Sequence, residues 1–404
     1  MKRGMEGLIL ITLDMVYDAQ KTLKGVAKET PIIHATKIDN NLYLKSENLQ
    51  MTGSFKLRGA YYKVSTLTEE EKKKGVIAAS AGNHAQGVAL ACTRMGVKSY
   101  ICMPAYAPLA KVEATKSYGG EPILVQGSFD DAAAEAKRLI EEEGYTFVAP
   151  FEDEKVIAGQ GTIGLEILEQ LPDVDTVVVP IGGGGLISGV AYAIKQLKPQ
   201  CKVIGVQALA TPCMAESRKA GHVVKVKDAP TIADGIHVLQ PGNITFDLCQ
   251  KYVDEIVTVT EDEIAVAILT LMEKQKTVAE GAGATAVAAV LSGKVDTKDQ
   301  KVCCIVSGGN IDVTMLNRVI TRGLITTGRL TEFTTKLPDM PGALVELSTV
   351  IASVGANIVN VQHERESIRS KVNECVIYIV VETRDIAHKE EVISTLKKAG
   401  YALL

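Results

Sequence analysis

Residues 76–103 read VIAASAGNHAQGVALACTRMGVKSYICM. A short run of β-branched and small residues (76–79) gives way to a helical pattern over 85–95 and then to a second strand-like run over 99–103. That alternation marks a βαβ unit, two parallel strands joined by a crossover helix. Working outward, strand-like runs recur at 122–125, 146–149, 176–180, 202–206 and 301–306, with Gly or Pro between them. An α/β fold with open parallel sheets is predicted. Ser128 with Asp131, and Thr260 with Glu263, have the spacing of capping boxes and predict helix starts.

Near Gly328 the pattern changes. Strand-like 330–336 leads through the turn PDMPGAL (338–344) into a helix with Leu344, Leu347, Ile351 and Val354 on one face. Strand-like 357–362 and 375–381 follow, then an amphipathic helix bearing Val392, Ile393 and Leu396, closed by Gly400, and a last run to Leu404. The order is βαββαβ, a small sandwich of about 75 residues. With 404 residues in all, two or three domains are expected. The division read here is 1–325, with a smaller subdomain of about 50–150 inserted in a larger one, and 326–404.

A formal charge of −4 and 44 Lys and Arg spread without a basic tract argue against nucleic acid or an anionic membrane as partner. The early apolar run, 8–13, is too short for a spanning helix or a signal segment, so a cytoplasmic protein is expected. Eight cysteines lack CxxC spacing, and five lie in apolar runs. Buried free thiols are expected rather than disulfides or metal ligands, and no metal is expected.

Four motifs carry chemistry. SFKLRGA (54–60) sets a lysine among apolar and small residues, where partial desolvation would let its ammonium lose a proton near neutral pH. GGGGL (182–186) joins a strand to a helix, so bare backbone there can turn N–H groups onto a phosphate. A dinucleotide site fits poorly, because no GxGxxG register exists and Gln207 stands where a ribose-binding acid is needed. SAGNHAQG (80–87) opens a helix after a strand and suits a smaller anion such as a carboxylate. SGGN (307–310) follows the run VCCIV, at a strand end where a hydroxyl can reach a ligand in the crevice.

In their order and placement these motifs resemble the fold-type II pyridoxal phosphate enzymes of the threonine dehydratase family, over residues of about 15 to 323. GQGTIGLE (159–166), TIADG (231–235) and EGAGA (280–284) are similar to family sequence too. The resemblance implies a tryptophan synthase β-like fold of two open parallel-sheet subdomains. It implies pyridoxal 5'-phosphate as cofactor, carried by Lys56 beside Phe55, with Asn83 bonding the phenolic oxygen. Gly182, Gly183, Gly184, Gly185 and Leu186 would form the phosphate cup, and Ser307 would meet the ring nitrogen. Ser80, Ala81, Gly82 and His84 would hold the substrate. Freed Lys56 would take the Cα proton, and loss of the β-hydroxyl would lead from L-threonine to 2-oxobutanoate and ammonia, with L-serine as a second substrate. Either isoleucine synthesis or threonine breakdown fits. The C-terminal unit resembles a ferredoxin-like α+β ACT module, which implies an amino-acid effector near Pro341, Gly342, Ala343, Leu344 and Asn357, and a homo-oligomer, dimer or tetramer.

Serine racemases share most of these motifs, but similar members carry a second catalytic serine where this chain has Ala81. A β-replacement enzyme would be expected to show a TSGN-type loop. A silent amino-acid sensor would not need an intact Lys56, Asn83 and Ser307.

Overall fold

The computed structural model describes residues 11–366 and 371–404, which leaves residues 8–10 of the early apolar run outside the described residues. The chain divides into two compact units between Asp312 and Val313.

In the first unit the larger sheet contains β1 (Ile32–His34), β2 (Leu42–Lys45), β7 (Thr176–Pro180), β8 (Lys202–Ala208), β9 (Glu255–Val259) and β10 (Val302–Ile305). Its order is β1-β2-β10-β7-β8-β9, parallel except where β1 pairs with β2. The smaller sheet is wholly parallel, in the order β5-β4-β3-β6, from β3 (Val76–Ala79), β4 (Ser99–Pro104), β5 (Glu121–Val125) and β6 (Thr146–Phe147). All four of its strands lie in sequence between β2 and β7. The chain thus leaves one sheet, builds another and returns. Every residue of β3, β7 and β10 is buried, as expected of parallel strands covered on both faces. Strands β1, β2 and β9 carry no strong sequence signal and were not expected.

Helices form where the sequence caps them. Both expected capping boxes are present, and Thr68 with Glu71 forms a third. The Lys56–Ser65 helix lies against two others at very short range. A Cβ on Gly159 would stand 2.6 Å from the Cα of Gly59, and one on Gly87 would stand 3.0 Å from the Lys56 carbonyl carbon. These glycines are what let the helices Asn83–Arg94 and Glu154–Gln170 clamp the helix that begins at Lys56. All eight cysteines are buried and free.

The second unit contains β11 (Leu330–Pro338), β12 (Asn357–Glu364) and β13 (Glu374–Glu382) in the antiparallel order β11-β13-β12. Leu347 and Ile351 from the helix Ala343–Ser353, and Val392 and Leu396 from the helix Ile386–Lys398, meet Ile377 and Ile379 of β13 in its core. The expected last strand is present only as an isolated bridge, Thr335 with Leu403. Leu344 departs from the expected apolar face: it is 37 % exposed, while Ala343, Val350 and Val354 pack on the core instead. It sits in the first turn, at the margin of the buried stripe.

Candidate active site

Segments far apart in sequence close on one crevice at the carboxyl ends of the parallel strands. The Phe55 amide donates to the Ser307 carbonyl at 3.1 Å, and Ser54 bridges Gly308. Asn310 Nδ2 donates to Thr52 O at 2.7 Å and to Asn83 Oδ1 at 2.8 Å, which draws the loop after β3 onto the loop after β10.

Lys56 is the first residue of its helix, and its Nζ donates to Pro150 O at 2.8 Å. Burial pushes its pKa down from the ordinary 10.5 to about 8, against the opposing charge of Glu280. His84 is buried with Nε2 donating to Val148 O at 2.8 Å, while Nδ1 has no partner. Burial, then the Lys56 charge, outweigh the Val148 bond and lower its pKa to about 3, so the ring is neutral. Ser54 Oγ is a second buried polar atom without a partner.

The glycine run crosses from β7 into the helix Gly185–Leu197, with Gly184 at φ +102° and no side chain capping the helix start. A Cβ on Gly183 would stand 2.4 Å from the Phe151 ring, and one on Gly184 would stand 2.7 Å from Thr245 Cβ. Side chains at either position would fill the cradle. Thr245 Oγ1 donates to Gly183 O at 2.6 Å and fixes its outer wall. Pro150 and Phe151 therefore link the lysine to the cradle, since adjacent residues touch one and the other.

Of the remaining expected residues, Ser80 Oγ accepts the Gly82 amide at 3.2 Å, Ala81 is half-buried, and a Cβ on Gly82 would meet nothing within 4 Å. The loop faces open space at that point. Ser307 is buried at the end of β10. Sequence reasoning missed Pro150, Phe151, Thr245, Asn310 and, above all, Glu280. The Glu280 carboxyl is buried and accepts from Asn83 Nδ2 at 2.6 Å. Burial, then the charge of Asp234, raise its pKa to about 7 against the Asn83 bond, Lys111 and Lys56. A lone acid opening the small-residue helix Gly281–Leu291 was the available signal.

In the second unit the expected effector residues do not all converge. Pro341 and Gly342 form the turn after β11, beside the end of β13 at Glu374, whereas Asn357 pairs with Glu382 at the other end of that strand. Eight residues of strand separate them, about 27 Å. The helix Ala343–Ser353, about 16 Å long, and the turn after it carry the chain back toward that far end before β12 begins. Asn357 Nδ2 instead donates to Glu382 Oε2 at 3.1 Å. Among the described residues, the one group of three metal-ligand types within reach of each other is Asp339, His363 and Cys375, outside the crevice. There Asp339 pairs with Arg365 at 3.1 Å and the Cys375 thiol donates to Leu337 O.

An amine that is easily neutral, a side-chain-free helix start and a strand-end hydroxyl together fit a phosphate-bearing carbonyl compound with a heteroaromatic ring. The filled walls of the cradle leave backbone as its lining, which suits an anion bound by N–H groups.

Residues 23–308 match the family described as pyridoxal-phosphate dependent enzymes. The L-threonine ammonia-lyase of Thermotoga maritima is 51 % identical over 396 residues, covering 97 % of this chain and 98 % of that one. Among solved structures, processed threonine deaminase isoform 2 from Solanum lycopersicum superposes with a TM-score of 0.72 at 40 % identity, over 77 % of this chain and 94 % of that one. Maize serine racemase gives a TM-score of 0.73 at 35 % identity, over 78 % of this chain and 98 % of that one.

Proposed function

This chain belongs to the family of pyridoxal-phosphate dependent enzymes, and on that premise we propose that it is an L-threonine ammonia-lyase, forming 2-oxobutanoate and ammonia. The observation that carries the reading is the half-buried Lys56, with its lowered pKa, linked through Pro150 and Phe151 to the glycine cradle. Pyridoxal 5'-phosphate, when bound, supplies an aldehyde that captures amines and a conjugated ring that takes up the electron pair left by a departing α proton.

The chain's own groups do the rest. Lys56 Nζ would hold the cofactor and would take the proton from the substrate Cα; a pKa near 8 leaves a useful neutral fraction at neutral pH. Amides of Gly183, Gly184, Gly185 and Leu186 would bind the phosphate at the positive end of their helix, with Gly182 and Phe55 also contributing. Asn83 would offer an amide hydrogen to the phenolic oxygen. The Ser307 hydroxyl would meet the ring nitrogen without a charge, which would leave that nitrogen largely unprotonated. Ser80, Ala81 and Gly82 would hold the substrate carboxylate in the open space at Gly82, and buried His84, whose Nε2–H is committed to Val148 O and whose Nδ1 can only accept, would support that loop from behind. Ala81 offers no hydroxyl as a base on the opposite face, which favours elimination over racemisation. L-Serine, smaller by one methyl group, is a second substrate, since that group is worth only about 1–3 kcal/mol. Eight buried thiols without a disulfide support a reducing, cytoplasmic setting.

The second unit is regulatory in this reading, an ACT-like module that takes an amino acid at the Pro341–Gly342 turn. Val359 and Val361 on the exposed edge strand β12 support pairing with a second copy in a homo-oligomer. Solved relatives matched over 94–98 % of their own length by 77–78 % of this chain support a catalytic body that does not need the whole chain. The test is steady-state kinetics on L-threonine and L-serine, with and without isoleucine or valine, for the full chain and for one ending at Thr326. The full chain should respond to an effector and the shortened one should turn over threonine without responding. A shortened enzyme that keeps the response would place control in the first unit, and no 2-oxobutanoate from either would refute the activity.

A further inference from the structure

The crevice holds one buried acid that the mechanism above does not use. Glu280 enters from the start of the helix Gly281–Leu291, its amide donating to Gly308 O at 3.1 Å. The backbone around it is cut to fit. A Cβ on Gly308 would stand 2.2 Å from Glu280 Oε1, and one on Gly235 would stand 3.3 Å away. Oε1 accepts from Asn83 Nδ2 while Asn83 Oδ1 accepts from Asn310 Nδ2, so the Asn83 amide is gripped at both ends. One Nδ2 hydrogen is spent on Glu280, and the other is left to point elsewhere.

We propose that Glu280 is a positioning residue: its carboxyl group fixes the Asn83 amide from behind and sets the charge of the Lys56 amine across the crevice. This rests on the reading of Lys56 and Asn83 given above. The grip on Asn83 is needed because a free amide can flip, exchanging its donor for its acceptor. The influence on Lys56 is electrostatic, since an ionised carboxylate in a buried crevice favours the ammonium and a protonated one releases it. Other charged groups face Glu280 from two sides. Asp234, in the turn Asp234–Ile236, opposes its ionisation, and Lys111 of the helix Leu109–Ser117 favours it. Those two are themselves paired at 2.5 Å. Lys111 belongs to the smaller-sheet subdomain and Asp234 to the larger, so their contact joins the two walls and meters the charge on Glu280.

The pair of neighbours gives a test with two signs. In the apoenzyme, the pH dependence of Lys56 modification by trinitrobenzenesulfonate, read at Lys56 by peptide mass spectrometry, reports the titration of the amine. Glu280→Gln should lower the pH at which Lys56 loses its proton and raise its modification rate at pH 7 by about threefold or more. Asp234→Asn should do the reverse, because an easier ionisation of Glu280 holds the ammonium. General loosening of the crevice would move both variants the same way, and that result overturns the proposal, as does an unchanged Lys56 titration in both. If Glu280→Gln does not fold, Asp234→Asn decides alone: a slower modification supports the proposal and an unchanged or faster one ends it. In the holoenzyme the grip on Asn83 is read from a double-mutant cycle on the pH titration of the visible band. Asn83→Ala should add little once Glu280 is Gln, and full additivity would remove the positioning role. The amine titration uses no cofactor, so its failure counts against Glu280 alone. Retention of the cofactor-linked visible band by Lys56→Ala would count against the underlying reading of the site.

Discussion

Lys56 and Arg58 stand two residues apart on one helix, Lys56 half-buried and Arg58 fully buried, and they live in opposite electrostatic settings. Arg58 faces the core between sheet and helix, where it donates twice to Glu47, at 2.9 and 2.7 Å, and twice to Glu166, at 2.5 and 2.9 Å. Lys45 closes the group by pairing with Glu166 at 2.5 Å. Two cations thus meet two carboxylates. Burial would push the Glu47 carboxyl up, but the charge and hydrogen bonds of Arg58, with help from Lys45 and Thr30, hold it below the ordinary range. Lys56 has one carbonyl for a partner and an acid whose own charge is uncertain near neutral pH, with an unpartnered His84 nitrogen and Ser54 hydroxyl buried in the same region. A buried charge is locked when its neighbours complete it and chemically available when they do not. The paired cluster also fixes the helix that presents the unpaired lysine.

The sharpest way to break this contrast is to delete each cation in turn. Lys56→Ala should fold, because the side chain makes a single hydrogen bond, and should lose deaminase activity by about 10³-fold or more, as expected when both the cofactor anchor and the base are removed. Cofactor retention should weaken but persist through the glycine cradle. Turnover within tenfold of the parent would show that another group does the work assigned to Lys56.

Arg58→Leu should have the converse outcome. It leaves Glu47 and Glu166 facing Lys45 alone in a buried site, at a cost of about 3–5 kcal/mol in stability. Adding Glu47→Leu should recover part of that loss, because the remaining Lys45 and Glu166 are balanced. Denaturant unfolding of the apoenzyme measures both variants. A single variant within about 1 kcal/mol of the parent would mean that the cluster is not what anchors this helix.

The sequence shows one half of this contrast better than the other. Lys56, the glycine run, Asn83 and Ser307 were legible because each directly follows a strand, or opens a helix, within a few residues of a recognisable pattern. Their counterparts were not, because their roles depend on pairings between distant positions. Pro150 meets Lys56 across 94 residues, Glu280 meets Asn83 across 197, and Asn310 meets Asn83 across 227. Arg58 stood inside a quoted motif, but its carboxylate partners lie 11 and 108 residues away. Short strands such as β1 and β9 escaped because three to five residues carry too little alternation to separate from loop. Asn357 was misplaced for a different reason. Neighbouring strands in sequence share a sheet, but an intervening helix returns the chain to the opposite end of it.

His84 offers the smallest and most specific test, since it asks whether the incompleteness of the site has a measurable cost. Its pKa is lowered from an ordinary 6.5 to about 3, so the folded protein refuses a proton that the unfolded chain accepts. The sign follows: the stability tied to this group is whole above pH 6.5 and is lost as pH falls toward 3. At pH 5 the loss should be about 2 kcal/mol. His84→Gln keeps an N–H for Val148 but cannot titrate, so between pH 8 and pH 5 the parent apoenzyme should lose about that much more stability than the variant. Glu280, whose raised pKa makes folding more favourable as pH falls from 7, is present in both and cancels from the difference. Against burial, Glu47 is held below its ordinary value by Arg58, Lys45 and Thr30, and it too is present in both proteins. Parallel stability curves for the parent and His84→Gln would show that the ring takes up its proton in the folded state as readily as in water. The orphaned nitrogen would then be solvated, and the contrast between the complete and incomplete charge sites would rest on Lys56 alone.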